Sequence, residues 1–463
     1  MKVMVVGAGK LGYKLAEFMV MDDMDVTVID HNQKTLDFVN EQLDVLTVLA
    51  NGIEINVLKG LGINHYDLLV ATTGSDETNT LICTLAKKLG CKTTIARIRN
   101  PYYMKHLDFI KHELGIDYIV NPDLATARAI EKYLLKNYSF YSGEFVSGKV
   151  QMVDFNIEYM EEFVGKKLME LENFQGLLIT AISRNGNLII PNGSTELLAN
   201  DTIYVIGKTS DINRLNNLVS KDIINKDVKR VMILGGSNIG YYLAQRLAMD
   251  NISVTLIERD KNRCQELSEA IGDILIIHGD GTDIHLLEEE GISSMDAFVG
   301  VTGFDEDNLL MALMAKQSGV AKAIAKISRE NYVKIIDRLG IDAALNPVYI
   351  TASEILKVIR GGKIISVSLL LGGDGEVTEL IVDKDLPIVG KTLEELKLPK
   401  GIIIGVIVHN GEVIIPNGKT RIHANDRIVV FCLSENLPTL KMFFKSQRGG
   451  ILSELWNRVK GTR

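Results

Sequence analysis

The sequence predicts an α/β protein of two doubly wound parallel-sheet domains, each followed by a small α+β domain rich in hairpins. Three observations carry that expectation. The stretch Val3-Met4-Val5-Val6-Gly7-Ala8-Gly9-Lys10-Leu11-Gly12 returns as Val231-Met232-Ile233-Leu234-Gly235-Gly236-Ser237-Asn238-Ile239-Gly240, and an acid, Asp30 or Glu258, follows each last glycine at the same spacing. After each loop, apolar β-branched runs alternate with helical stretches, the pattern of a parallel sheet covered on both faces. Finally, Asn185-Gly186 and Asn410-Gly411 each sit between apolar runs. That dipeptide marks a two-residue hairpin, because both residues accept positive φ.

At 463 residues the chain exceeds one core, since single cores stop growing near ~250–300 residues. The elements repeat in order. Met21 to Asp30 and Ala248 to Glu258 each read as a helix end followed by a second strand closing on the acid. Leu46–Leu49 and Ile274–Ile277 read as third strands, Asp67–Gly74 and Asp296–Gly303 as fourth strands with their loops, and Thr93–Ile98 and Lys322–Ile327 as fifth strands. Leu114–Asp117 through Asn121-Pro122 matches Leu339–Asp342 through Asn346-Pro347. Units of this kind make Rossmann-type domains, placed at 1–125 and 228–350. The smaller modules repeat Val164-Gly165-Lys166 as Val389-Gly390-Lys391, Ile190-Pro191-Asn192-Gly193 as Ile415-Pro416-Asn417-Gly418, and Ala199-Asn200-Asp201 as Ala424-Asn425-Asp426. They are placed at 140–222 and 362–446, with a tail at 447–463.

Composition narrows the function. Hydrophobic residues make up 46% and charged residues 24% of the chain, as in ordinary globular proteins. A net charge of −8 argues against nucleic acid as a partner. No stretch approaches the ~18 uncharged apolar residues of a spanning helix, and the N-terminus reads as a core strand rather than a signal peptide. Cys83, Cys91, Cys264 and Cys432 form no C-x-x-C pair, so a reduced, cytoplasmic setting without structural zinc or disulfides is expected.

The loops carry the chemistry. Gly7 permits the tight turn, Gly9 lets the backbone approach a pyrophosphate, and Gly12 allows close helix–strand packing. The helix from about Lys10 aims its amides at the phosphates. Asp30 is placed to accept hydrogen bonds from ribose hydroxyls, and repels a 2′-phosphate, so NAD(H) is favoured over NADP(H). In the second copy Ser237 replaces Gly9 while Gly235, Gly240 and Glu258 remain. Its Cβ is expected to crowd the pyrophosphate, making the two sites unequal. Arg259 either covers an adenine or is solvated. The fourth-strand loops, Thr72-Thr73-Gly74 and Thr302-Gly303, suit phosphate or ribose contacts. The following Ser75-Asp76-Glu77-Thr78-Asn79 and Phe304-Asp305-Glu306-Asp307-Asn308 read equally well as helix caps. Arg97 and Lys326 face the same crevice, either as phosphate partners or in structural ion pairs. His278 and Asp280 line the third-strand end, where an adenine would lie.

Catalysis is not expected. His31, His65, His106, His112, His278, His285, His409 and His423 form no repeated set with Asp or Arg, and neither a phosphate-binding G-x-x-x-x-G-K-[ST] nor a G-x-S-x-G elbow is present. The alternatives to a binding protein are a soluble NAD(H)-dependent redox sensor and an oxidoreductase.

The Gly7–Gly12 loop with Asp30, the Asp76–Asn79 stretch and its Asp305–Asn308 copy resemble the N-modules of the regulators of potassium conductance. The Val164-Gly165-Lys166 and Ile190–Gly193 elements, with their later copies, resemble that family's C-module. The N–C–N–C order is similar to the cytosolic regulatory subunits of the bacterial and archaeal Trk potassium uptake systems. The resemblance implies NAD(H), with ATP or ADP as further ligands, bound by Gly7, Ala8, Gly9, Lys10, Leu11, Asp30, Thr73, Gly74 and Arg97. In the second copy it implies Gly235, Gly236, Ser237, Asn238, Ile239 and Glu258, to which the positions of His278 and Asp305 are added. It also implies a homo-oligomeric ring, peripheral to the inner face of the cell membrane, under an integral membrane potassium-translocating subunit. The tail carries Lys441, Lys445, Arg448, Arg458, Lys460 and Arg463 beside apolar residues at helical spacing. It fits docking to a membrane protein or headgroups, or packing on a C-module or sister chain.

Overall fold

A computed structural model describes residues 1–135, 143–171, 174, 176–219, 228–329, 332, 340–361 and 363–444. The expected tail helix lies outside them. The chain divides into two compact units, Met1–Thr126 with Pro347–Ile355, and Ala127–Asn346 with Leu356–Arg463.

The first unit is built on six parallel strands: β1 (Lys2–Val6), β2 (Asp25–Asp30), β3 (Leu46–Leu49), β4 (Leu68–Ala71), β5 (Thr93–Arg97) and β6 (Tyr118–Val120). Their order is β3-β2-β1-β4-β5-β6, with Val3 to Val6 registered against Val26 to Ile29 on one side and Leu68 to Ala71 on the other. Parallel neighbours need a crossover, and helices supply it on both faces. That is why β1 beyond Lys2 and all of β4 are apolar, with every residue from Val3 to Val6 and from Leu68 to Ala71 buried. The winding reverses between β1 and β4, and there the strand ends open a crevice. Local signals set the helix starts: Asn32 accepts the Thr35 amide at 3.3 Å and Ser75 accepts the Thr78 amide at 3.1 Å.

The second unit holds a sheet of identical plan, β12 (Arg230–Leu234), β13 (Ser253–Glu258), β14 (Leu275–His278), β15 (Ala297–Gly300), β16 (Lys322–Lys326) and β17 (Ala343–Leu345), ordered β14-β13-β12-β15-β16-β17. It also holds two antiparallel sheets. One comprises β7 (Gly143–Phe145), β8 (Val150–Asn156), β9 (Leu177–Arg184), β10 (Asn187–Ile189) and β11 (Thr202–Lys208); the other comprises β18 (Ile364–Leu370), β19 (Gly375–Ile381), β20 (Ile402–His409), β21 (Glu412–Ile414) and β22 (Arg427–Leu433). The expected hairpins form at Asn185-Gly186 (φ 54° and 80°) and Asn410-Gly411 (φ 49° and 86°), closing Arg184 on Asn187 and His409 on Glu412. The predicted class, parallel sheets alternating with hairpin-rich modules, is the observed one.

Sequence repetition did not reveal that the two antiparallel sheets share a core. Met152, Ala181, Tyr204 and Ile206 pack in one cluster with Val377, Val406, Val429 and Phe431. The buried Glu379 carboxylate joins the two, accepting the Val146 amide at 2.7 Å and pairing with Arg427 at 2.6 Å. In the same unit, the end of the helix Pro122–Leu135 lies against the second parallel sheet. Glu131 pairs with Arg246 at 2.7 Å, Tyr133 donates to the Asp342 carbonyl at 2.9 Å, and Lys322 donates to the Tyr133 and Leu134 carbonyls at 3.3 and 3.2 Å. Among the described residues, no helix is long and apolar enough to cross a membrane.

A Cβ at Gly12 would come within 1.8 Å of the Gly7 carbonyl oxygen, whereas one at Gly411 meets nothing within 4 Å and pays only for its positive φ. Gly12→Ala therefore destabilises by at least about 2 kcal/mol and Gly411→Ala by about 1 kcal/mol, read by native-state hydrogen exchange of the helix Lys10–Met21 and of the hairpin. Burial lowers the Lys322 pKa to about 8 from an ordinary 10.5. The unfolded chain then binds more protons between those values, so stability rises with pH across that window. Denaturation of the native chain against Lys322→Met should show the difference shifting in favour of the native chain from pH 8 to pH 10; a constant difference contradicts it.

Candidate functional site

At the β1–β4 crevice the chain leaves β1 through Gly7, whose φ is +98°; a Cβ there would lie 2.8 Å from the Thr73 nitrogen. The Gly7 amide donates to the Ile29 carbonyl at 2.8 Å, which fixes the loop to the end of β2. Asp30, at the tip of β2, then accepts the Ala8 amide on Oδ2 at 2.7 Å and the Asn32 amide on Oδ1 at 2.9 Å. A carboxylate offers about four acceptor positions, so each oxygen keeps one while its orientation is fixed. Gly9 ends the loop in extended conformation and precedes the helix Lys10–Met21 with no side-chain cap on its amides. A Cβ on Gly9, or on Gly74 across the crevice, would meet nothing within 4 Å. Lys10 is exposed and Leu11 buried, so the helix presents one cation and anchors itself by the next residue.

The β4 loop is held from beneath. Asn79, fully buried, accepts the Thr73 amide at 2.8 Å and hydroxyl at 2.7 Å, and donates to the Thr73 and Arg97 carbonyls at 3.2 and 2.9 Å. Arg97 donates through Nη1 to the Thr73 carbonyl at 2.9 Å, yet its buried Nε has no hydrogen-bond partner among the described residues. Burial, with Arg99 nearby, holds the Arg97 pKa below the ordinary guanidinium value. A cation in that state favours an anion or a strong acceptor beside it.

The second crevice repeats the clasp. Glu258 accepts the Gly236 amide at 2.6 Å and the Asp260 amide at 2.7 Å, and the Gly235 amide donates to the Ile257 carbonyl at 2.9 Å. Ser237 behaves differently from Gly9. Its hydroxyl turns inward, donating to the Val301 carbonyl at 2.8 Å and capping the helix Asn238–Met249 through the Gly240 amide at 3.4 Å. Behind it, Asn238 is half-buried and Ile239 buried. Lys326 stands where Arg97 stands, donating to the Thr302 carbonyl at 3.0 Å and lying 3.6 Å from Asp305. Asp305 is buried and accepts the Ser328 and Arg329 amides, both at 2.9 Å. Asp76 holds the Arg99 and Asn100 amides in the same way. His278 is exposed, with a ring nitrogen 3.2 Å from the Arg259 carbonyl. Asp280 accepts the Thr282 amide and hydroxyl, which hold its carboxyl below the ordinary value.

Sequence reasoning passed over three positions. Asn308 repeats the Asn79 network, bonding the Thr302 amide at 2.8 Å and the Lys326 carbonyl at 3.0 Å; in the sequence both asparagines look like parts of helix starts. The signal was their recurrence at the same place in each copy. Arg259 is exposed, and Arg263 is the arginine that reaches the loop, donating to the Gly236 carbonyl at 2.7 Å.

Comparison with known proteins agrees with this architecture. The TrkA-N domain model matches residues 3–122 and 231–347, and the TrkA-C domain model matches residues 152–220 and 377–445. The Trk system potassium uptake protein TrkA homolog 2 of Methanosarcina mazei is 36% identical over 453 residues, covering 96% of this chain and all of that protein. The Trk system potassium uptake protein TrkA of Haemophilus influenzae is 34% identical, covering 96% of this chain and 99% of its own length. Among solved structures, the GsuK RCK domain superposes with a TM-score of 0.56 at 20% identity, covering 96% of this chain and 94% of that one. The GsuK channel bound to NAD gives 0.55 at 20% identity, covering 96% and 78%. These two likenesses concern the fold.

Asn79→Ala removes the side-chain partner of the part-buried Thr73 amide and of the Arg97 carbonyl, at about 1–3 kcal/mol each. Hydrogen exchange of the β4 loop should accelerate at least tenfold, while β1 and β2 keep their protection. Unchanged exchange at Thr73 would remove Asn79 from its positioning role.

Proposed function

This chain belongs to the TrkA family, and from that premise we propose that it is a non-catalytic regulatory subunit that gates a membrane potassium-translocating protein in response to nucleotides. N-modules at 1–125 and 228–350 bind the nucleotide, and C-modules at 140–222 and 362–446 carry the response into a homo-oligomeric ring at the inner face of the membrane. The names of the relatives support the potassium system as the target, and the NAD carried by a structural neighbour supports the ligand class.

The observation that carries the reading is the open Gly9 face between the Asp30 clasp and the partnerless Arg97 Nε. These residues fit a dinucleotide. Asp30 retains acceptor positions for two ribose hydroxyls, and its orientation is already fixed by backbone amides. Gly9 admits a pyrophosphate against the uncapped start of the helix Lys10–Met21, and Lys10 adds a positive charge. Thr73, Gly74 and Arg97 face the same ligand from β4 and β5. Bound NAD(H) supplies negative charge and hydroxyls whose disposition the loop reads. In the second module Gly235, Gly236, Asn238, Ile239 and Glu258 form the corresponding cradle, with the Ser237 hydroxyl directed into the protein. ATP or ADP fits either cradle through the same ribose and phosphate contacts.

Gating then follows from differential affinity. A nucleotide shifts a ring between two states only by the ratio of its affinities for them, and each tenfold ratio is worth about 1.4 kcal/mol.

Asp30→Ala removes a charged acceptor, worth about 1.5–3 kcal/mol, and is expected to weaken NADH binding ten- to hundredfold in calorimetric titration of the full chain. An unchanged affinity contradicts the ribose assignment. Affinity purification from native membranes should recover an integral potassium-translocating protein; steady-state NADH oxidation by the isolated chain would contradict a regulatory role.

A further inference from the structure

The second antiparallel module carries a cluster that the nucleotide reading does not use. His409 closes β20, and His423 and Asp426 lie in the turn before β22. His409 Nδ1 is 2.6 Å and His423 Nδ1 is 3.6 Å from the Asp426 carboxylate, whose side chain is only 2% exposed. The imidazoles stand 4.4 Å apart between centroids, and one ligand atom from each of the three residues falls within 4.8 Å of the other two.

The first module shows what the same turn does without histidines. There Asp201 accepts the Leu198 amide at 2.9 Å, as Asp426 accepts the His423 amide at 2.7 Å. Its carboxylate is neutralised by a bidentate arginine, Arg184 donating from Nε at 2.8 Å and from Nη2 at 2.7 Å. At the second copy His409 replaces Arg184 and His423 replaces Leu198. A permanent cation has been exchanged for two imidazoles around a carboxylate that is still buried. Burying a carboxylate favours a compensating positive charge beside it, which a metal ion held by the two imidazoles supplies.

We propose that His409, His423 and Asp426 bind a divalent transition-metal ion, of the zinc, cobalt or nickel class, in the second C-module only. Two imidazole nitrogens and one carboxylate suit these borderline cations, whereas magnesium and calcium take oxygen ligands. Three protein ligands leave further coordination to water, consistent with the partly exposed imidazoles at 36% and 47%. Metal–ligand bonds of ~2.0–2.2 Å require the three side chains to draw together, which exposed imidazoles do by rotation. Coordination through His409 Nδ1 takes the place of its 2.6 Å contact with Asp426 and requires the ring proton to sit on Nε2. The Asn410 amide lies 3.0 Å from Nε2; its flipped form accepts that proton and orients the ring. The ion would tie the end of β20 to the turn before β22, as the arginine pair does in the first module.

The test uses the full chain after chelation, titrated with cobalt(II) and with zinc(II). The expected result is one ion per chain, with a cobalt spectrum of nitrogen and oxygen ligation and no thiolate charge-transfer band. His409→Arg with His423→Leu rebuilds the arginine pair of the first module and so preserves the fold, which circular dichroism verifies. That variant should bind at least about tenfold more weakly, and Arg184→Ala should bind as the native chain does. Absence of binding by the native chain, equal affinity in the double variant, or a thiolate spectrum would each overturn the proposal.

Discussion

A carboxylate at the tip of the second strand holds the glycine loop in both parallel-sheet domains, and the candidate sites depend on that contact. Asp30 grips the Ala8 amide and Glu258 grips the Gly236 amide, each while bonding a second amide just downstream. The contact fixes the loop, the start of the following helix and the acceptor direction together. Pre-organised acceptors cost a ligand less ordering than mobile ones. Because the anchoring strand is buried on both faces, the geometry of the clasp rests on the core beneath it.

Above this shared frame the two copies diverge. The first leaves its helix start uncapped and, among the described residues, a buried arginine nitrogen without a partner. The second satisfies the same region internally, with Ser237 capping and Lys326 beside Asp305. Polar groups already paired within the protein gain less from a ligand than groups that are not. The first copy is therefore the stronger candidate for dinucleotide binding. The C-modules diverge as well, an arginine pair in one facing a histidine pair in the other, although their sheets share one apolar core.

Much of this was legible in the sequence. Parallel strands buried on both faces must be apolar runs, and Asn-Gly turns need positive φ, so the order of elements and both hairpins could be read directly. Gly7 and Gly12 were legible because close backbone approach excludes a side chain. Pairing between distant residues was not. The Asn79 and Asn308 networks looked like helix starts, since an asparagine after a cap reads the same whether it faces solvent or a neighbouring strand. Ser237 was expected to crowd a ligand, and only its rotamer reveals that its hydroxyl turns to Val301. The shared core of the antiparallel sheets and the meeting of His409 with His423 depend on tertiary packing, which one-dimensional spacing does not encode.

The central claim is that a fixed carboxylate reads the ribose of a dinucleotide. Calorimetric titration of the full chain with NADH and with NADPH tests it most directly, because the two ligands differ only by a phosphate on the hydroxyl that Asp30 would bind. NADH should bind at least about tenfold more tightly, a difference of about 1.4 kcal/mol, and Asp30→Ala should narrow the gap. Equal affinity for the two nucleotides, or tighter binding of NADPH, would contradict it.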